Sequence, residues 1–377
     1  MVEERPVLTA VQDAITPREY RFVIYWAAGL LFLYAIGGYF GASLLRGYAA
    51  ETAKTRQAWI ESSTSERNMQ PPDPRGPSAA KPVDGLVSMS MNRIGEFALK
   101  ESAWTADFDL AFRWTGDTVD PGESFRIVNG QIVQREKGKS SQRGGERYAG
   151  YRVVARMAKP FDAARFPFAD EGLLVQLEDA THGREALRYV ADDRNTGAGP
   201  ESIPRNVKLV RTLAGVRVRQ AGPVQREPSA PASVTDAYSQ FFFAMLVVPG
   251  SIGIYLKLFQ ALFASVALTL IALYIKPTHV DCRFGLPVGG FFASVGNNIF
   301  VGTLLPPADR LTLTDMINTV SLLTIFLVVA QSVISLHLFD TLGRERLSRF
   351  FDMVSLAIFV LGYVGVNLAL PLAARPQ

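Results

Sequence analysis

The chain has 377 residues, of which 48% are hydrophobic and 20% charged, with a mean hydropathy of only +0.14. That mixture indicates apolar spans joined to an ordinary water-exposed domain, about two domains by length. A net charge of +4 without a basic run interleaved with aromatics argues against a nucleic-acid partner. A single cysteine, Cys282, excludes an intrachain disulfide and a Cys-based metal site, and three scattered histidines argue against a His-rich one. No cofactor is implied.

Five stretches approach the roughly 20 apolar residues that a membrane helix needs. The first, Phe22–Leu45, follows Thr16-Pro17-Arg18-Glu19, a helix start with Pro at its first position. It is long, rich in Tyr and Trp, and has no small-residue cleavage site, so it reads as an uncleaved anchor and not as a signal peptide. Residues 47–68 continue it as a polar helix, and Gln70–Val83 is a Pro-rich linker expected to be extended.

From Gly85 the pattern turns to short strands. In Thr105–Trp114, Ala106, Phe108, Leu110, Phe112 and Trp114 share one face. Phe125–Val133 is broken by Asn129-Gly130, a hairpin signal. Tyr148–Met157, Leu173–Glu178, Leu187–Val190, Val207–Leu213, Val216–Gln220 and Phe241–Val248 follow, with loops expected at Ser140–Glu146 and Pro223–Ser233. This spacing predicts a β-sandwich.

Four further spans come after residue 250, at Ile252–Ile275, Phe284–Leu305, Asp315–Leu338 and Phe350–Leu370. Lys276 and Arg283 flank the first connection, and Arg344, Arg346 and Arg349 lie in the third. The second has only Arg310. The positive-inside rule puts the first and third connections in the cytoplasm, and residues ~47–250 in the periplasm of a multi-pass protein of the bacterial inner membrane. The expected organisation is a cytoplasmic N-terminus and anchor (1–46), a helical and Pro-rich linker (47–84), an outer all-β sandwich (85–250) and a four-helix transmembrane bundle (251–377).

The order of these parts resembles the pentameric ligand-gated ion channel family in its prokaryotic, cysteine-less form, with an extra N-terminal anchor. Phe108-Asp109-Leu110-Ala111-Phe112-Arg113-Trp114 looks like the family's second-strand segment, which ends at a Trp. Phe161-Asp162-Ala163-Ala164-Arg165-Phe166-Pro167-Phe168 is similar to the stretch that opens the family's signature loop. Leu305-Pro306, with Leu311-Thr312-Leu313-Thr314-Asp315, resembles the loop between the second and third pore-domain helices. The likeness covers about residues 85–370. There are departures: Ala169 stands where the family has Asp, no Pro lies within 252–275, and the stretch from Trp114 to Phe161, which contributes to the family's agonist pocket, is short.

The resemblance implies a homopentamer in which the helix after Asp281 lines a pore. Asp281 would form an inner carboxylate ring favouring cations, partly opposed by Arg283. Helical spacing from Gly285 adds Gly289, Phe292, Gly296, Ile299 and Thr303, with Phe292 and Ile299 as apolar rings that gate by dewetting. The competing reading takes Gly285-x-x-x-Gly289 as a close-packing motif, Asn297 and Asn298 as bonds to neighbouring helices, and Asp281 as an interfacial charge. Phe166, Pro167 and Phe168, with Pro306, Asp309 and Arg310, are the implied gating interface; plain packing of that loop is the alternative. Glu178-Asp179 and Asp192-Asp193 read as Ca²⁺ ligands or, more commonly, as solvated turn charges, and His182 as an exposed loop residue.

No nucleophile–base pair, G-x-S-x-G, P-loop or H-E-x-x-H is present, which argues against an enzyme. The functions in contention are an ion channel opened by an unidentified ligand, an ion or pH, a non-conducting membrane sensor or scaffold, and an accessory subunit of an envelope complex that meets a partner at the anchor.

Overall fold

A computed structural model describes residues 15–68, 81–204, 207–220, 237–249 and 252–375. Most of the Pro-rich linker and the loop expected over Pro223–Ser233 lie outside the described residues. The chain divides into two compact units. One comprises Met1–Ala50, Ala163–Ala169 and Ser251–Gln377; the other comprises Glu51–Asp162 and Asp170–Gly250.

The first helix, α1 (Pro17–Asn68), starts where the sequence predicts. The Glu19 backbone N–H donates to Thr16 Oγ1 at 3.4 Å, and the Glu19 carboxylate accepts from the Thr16 backbone and hydroxyl at 2.7 and 2.8 Å. This reciprocal capping satisfies donors that a helix start otherwise leaves open. Its 52 residues run on without a break into the polar segment expected after the anchor.

Among the described residues of the unit rich in strands, ten strands form two sheets: β1 (Val83–Ala98), β2 (Ala103–Thr115), β3 (Phe125–Ile127), β4 (Gly130–Arg143), β5 (Glu146–Ala158), β6 (Glu171–Asp179), β7 (Leu187–Ala191), β8 (Gly197–Ala198), β9 (Val207–Gln220) and β10 (Ala237–Pro249). The larger sheet has the order β4-β5-β2-β1-β7, with β8 also on β1; the smaller is β3-β6-β10-β9. Alternation fixes which side chains meet. Phe108, Leu110 and Phe112 of β2 stand opposite Val153, Tyr151 and Ala149 of β5, and all six enter the core with Val175, Leu177, Phe241 and Phe243 of the smaller sheet. Trp114 is buried among them, as its place on that face predicts.

Three local expectations are corrected. Asn129-Gly130 does not close a hairpin: β3 pairs with β6 and β4 pairs with β5, so the chain crosses between sheets there. Asn129 instead uses its side chain as a strand partner, donating to the Leu174 carbonyl at 2.7 Å and accepting from the Gln176 N–H at 2.9 Å. Gly130 is needed because a Cβ would collide with the Arg156 carbonyl. The loop expected at Ser140–Glu146 is mostly strand, reversing at Gly144-Gly145, both at positive φ. The two strands expected over 207–220 are one, because Ala214 and Gly215 stay paired to Phe243 and Phe242.

In the other unit α1 is joined by α2 (Ile252–Ile271), α3 (Val280–Leu304), α4 (Leu313–Leu336) and α5 (Glu345–Ala374). All five are long and apolar enough to cross a membrane. A Thr312–Asp315 capping box starts α4, and Gly343, at φ +61°, allows the turn into α5. The anchor is a member of this bundle. The Tyr34 hydroxyl meets Thr324 Oγ1 of α4 at 2.7 Å, its ring lies edge-on to Phe359 of α5, and Trp26 packs on Phe351.

Candidate functional site

Among the described residues, α3 has the lowest hydropathy of the five candidate spans, and it contains Pro287 and five glycines. Its buried side is built from Arg283, Pro287, Gly290, Ser294, Asn297 and Val301, which pack inward. Gly290 sits where a Cβ would strike the Thr269 hydroxyl of α2, and Ser294 shares a 3.3 Å hydrogen bond with Ser265.

Asp281, Gly285, Gly289, Phe292, Gly296, Ile299 and Thr303 all lie on the opposite, exposed side. Phe292 is 67% exposed and Ile299 66%, so neither belongs to the chain's own core. A Cβ added at Gly285, Gly289 or Gly296 would meet nothing within 4 Å among the described residues. Among the described residues, the close-packing motif therefore has no partner helix. Phe291 and Phe292 lie edge to face, centroids 5.7 Å apart, and border an open apolar groove of about 600 Å³ with Leu323 and Phe326 of α4.

The asparagines behave as the packing alternative holds. Asn297 is buried and its amide lies 3.5 Å from the Asn318 side chain of α4, which in turn donates to Asn298 at 3.3 Å. Both tie the C-terminal half of α3 to α4.

Arg283 overturns its expected role beside Asp281. It is wholly buried; one terminal nitrogen donates to the Asp352 carboxylate of α5, 2.7 and 2.8 Å from its two oxygens, and the other donates to the Ile275 carbonyl at 2.9 Å. Ser335 and Gln331 of α4 also donate to Asp352. The exposed end of α3 therefore carries the Asp281 carboxylate without Arg283 beside it. The sequence reading missed Asp352, although an acid inside an apolar span always raises the question of its partner.

The segment Ala163–Ala169 packs against α2, α4 and the end of α5. The Ala164 carbonyl accepts from the Leu313 N–H of α4 at 2.8 Å, buried Arg165 donates to the Ala374 carbonyl at 3.3 Å, and Phe168 packs on Tyr255 of α2. Phe166-Pro167 is a cis peptide. Of the implied partners, Pro306 is half-buried, while Asp309 and Arg310 are exposed and the Arg310 guanidinium lies over the Tyr48 ring of α1.

The acidic pairs are not solvated turn charges. Glu178 and Asp179 are buried. Glu178 accepts from Arg126 and Arg219, while Asp179 accepts from Ser124, Thr181 and the backbone of His182. Asp192 is buried beside Arg113, leaving only Asp193 exposed. No group of three or more His, Cys, Asp or Glu among the described residues is arranged to hold a metal ion. No protein-family model matches the chain, and no curated protein matches it.

Proposed function

We propose that the chain is the subunit of a homopentameric, ligand-gated channel for small cations in a bacterial inner membrane, with the β-sandwich outside. The observation that carries this reading is the exposed side of α3. A face that turned to lipid would ordinarily be rich in Leu, Ile and Val. Among the exposed residues of α3, which also include Val288, Phe291, Phe300 and Leu304, one strip presents a carboxylate, three glycines and a threonine, which suit close approach of other α3 copies around water better than hydrocarbon. Phe292 and Ile299 are the bulky members of that face and supply apolar constrictions. Removal of Arg283 into its bond with Asp352 supports cation preference, since Asp281 is left as the charge at that end.

Opening would be a shift between two populated states, driven by whatever binds the outer unit better in one of them. The segment Ala163–Ala169, bonded to α2, α4 and α5 yet continuous at both ends with strand-unit chain, supports a role in carrying that shift.

The test is flux or single-channel recording on purified protein in liposomes. Phe292→Ser should wet the constriction and raise resting conductance. Phe291→Ser, about 100° round the helix, should not. A correctly assembled oligomer in which neither the native chain nor Phe292→Ser conducts overturns the channel reading in favour of a membrane sensor.

A further inference from the structure

Tyr48 stands on α1 where that helix is held fast. Leu45 and Ala49 beside it are buried. A Cβ at Gly41 would collide with Leu370 of α5 and crowd Met316 of α4, so the helices already touch there. Farther back Tyr34 bonds to Thr324 of α4, and near the helix start Glu19 meets Arg344 in the turn between α4 and α5. The connection between α3 and α4 is the opposite case. Residues 307–311 are all exposed. Backbone bonds hold its two ends, from the Leu305 N–H to the Val301 carbonyl at 3.2 Å and from the Leu313 N–H to the Ala164 carbonyl at 2.8 Å. Between those ends the Arg310 guanidinium lies over the Tyr48 ring, 5.6 Å from its centre and within cation–π range.

We propose that Tyr48 is a positioning residue: α1 uses its ring to hold Arg310, and through Arg310 the α3–α4 connection and the C-terminal end of α3. The ring attracts the guanidinium by its face and does not compete for its N–H donors, so the contact adds to whatever else Arg310 bonds. Because α1 is fixed against α4 and α5 while the connection is exposed, loss of the contact frees the connection and leaves the helix in place. α3 is the helix that answers to this hold. The strip from Gly285 to Gly296 meets no neighbour among the described residues, and its C-terminal half is tied to α4 by asparagine contacts of 3.5 and 3.3 Å. A helix held so lightly changes position when its connection is released, and the balance between its positions shifts by the strength of the lost contact. The anchor is therefore part of what sets α3, not only a tether to the membrane. The effect on the pore rests on the channel reading; the hold on the connection does not.

The experiment follows amide hydrogen exchange of the full chain in detergent, beside sodium flux in liposomes. Tyr48→Leu should speed exchange over residues 305–313 about fivefold, and Tyr48→Phe, which keeps the ring, should not. Arg310→Gln should speed it at least as much, and adding Tyr48→Leu to Arg310→Gln should change nothing further. Glu19→Gln probes the far end of α1: it should speed exchange over residues 337–344 and leave 305–313 as they were. Resting sodium flux should shift about fivefold in Tyr48→Leu and stay unchanged in Tyr48→Phe. Unchanged exchange in Tyr48→Leu overturns the hold. Exchange that rises equally at both ends shows a loosened α1 and overturns the positioning role, and Tyr48→Phe that behaves as Tyr48→Leu overturns the ring contact. Faster exchange at 305–313 without flux in any protein keeps the hold and removes the channel. Flux that Tyr48→Leu leaves unchanged, with exchange accelerated, removes the link to α3.

Discussion

Arg283 and Asp352, 69 residues apart in the chain, hold α3 to α5 through a bidentate pair buried inside the helix bundle. Such a pair is a strong constraint and a weak source of net stability, because both charges lose their hydration. Removing one partner leaves the other bare. Arg283→Met or Asp352→Leu should therefore each cost about 3–5 kcal/mol, while the double variant Arg283→Met, Asp352→Leu should recover most of the loss. Thermal unfolding of the four proteins in one detergent checks this. Additive losses in the double variant would show that the two residues act separately.

The anchor's place in the bundle predicts an unequal effect at two glycines of α5. A Cβ at Gly362 would collide with the Tyr34 ring, whereas one at Gly365 meets nothing within 4 Å among the described residues. Gly362→Val should cost about 1–3 kcal/mol through overpacking. Gly365→Val should stay within about 0.5 kcal/mol. Tyr34→Phe, which removes the bond to Thr324 and keeps the ring, should cost about 0.5–1.5 kcal/mol. Equal thermal midpoints for the two glycine variants would detach α1 from the bundle.

The helices were legible because each apolar run reaches the length a membrane requires, and the start of α1 because Pro17 stands where a first helical residue tolerates it. Trp114 and its face were legible through period-two alternation. The hairpin at Asn129-Gly130 was misread because a dipeptide reports a local bend and not which sheet each flanking strand joins. Arg283 was read as a boundary charge since its partner lies two helices onward, and Glu178 and Asp179 as turn charges since nothing local announces Arg126, Arg219 or Ser124. The residues counted from Gly285 share one side of α3 because one helical period governs them, while exposed Val288, Phe291, Phe300 and Leu304 lie outside that count.

Acid should weaken the strand-bearing unit. At Asp179 burial raises the carboxyl, but bonds from Ser124, the His182 backbone and Thr181 outweigh it and hold the group below its ordinary 3.8. The bond from Arg152 likewise lowers Asp107. A carboxyl depressed on folding contributes stability that is present above its unfolded value and lost as pH falls through its folded one. Glu171 runs the other way: raised by burial above 4.5, it favours the folded state below that value, and the contribution is lost as pH rises through its folded pKa. Stability followed by tryptophan fluorescence should fall from about pH 4 downward. Asp179→Asn should cost about 1.5–3 kcal/mol at neutral pH and flatten that fall. An unchanged acid slope in this variant would assign the loss to other carboxylates.

On the channel proposal, charge selectivity is the sharpest consequence of Arg283 lying with Asp352 and not beside Asp281. With both residues at a pore mouth, their rings would largely cancel, and neutralising Asp281 would leave five arginines to favour anions. With Arg283 held by Asp352, neutralising Asp281 leaves a mouth carrying neither charge. Asp281→Asn should therefore lower conductance and cation preference without inverting it, while Asp281→Lys should reverse the sign of the reversal potential in a salt gradient. Asp281→Asn that by itself turns the channel anion-selective would mean that Arg283 faces the ion path. The same recordings on Arg283→Met, Asp352→Leu close the argument: this pair of substitutions should leave selectivity as it was, because the buried arginine contributes to how α3 is held and not to the field that ions cross.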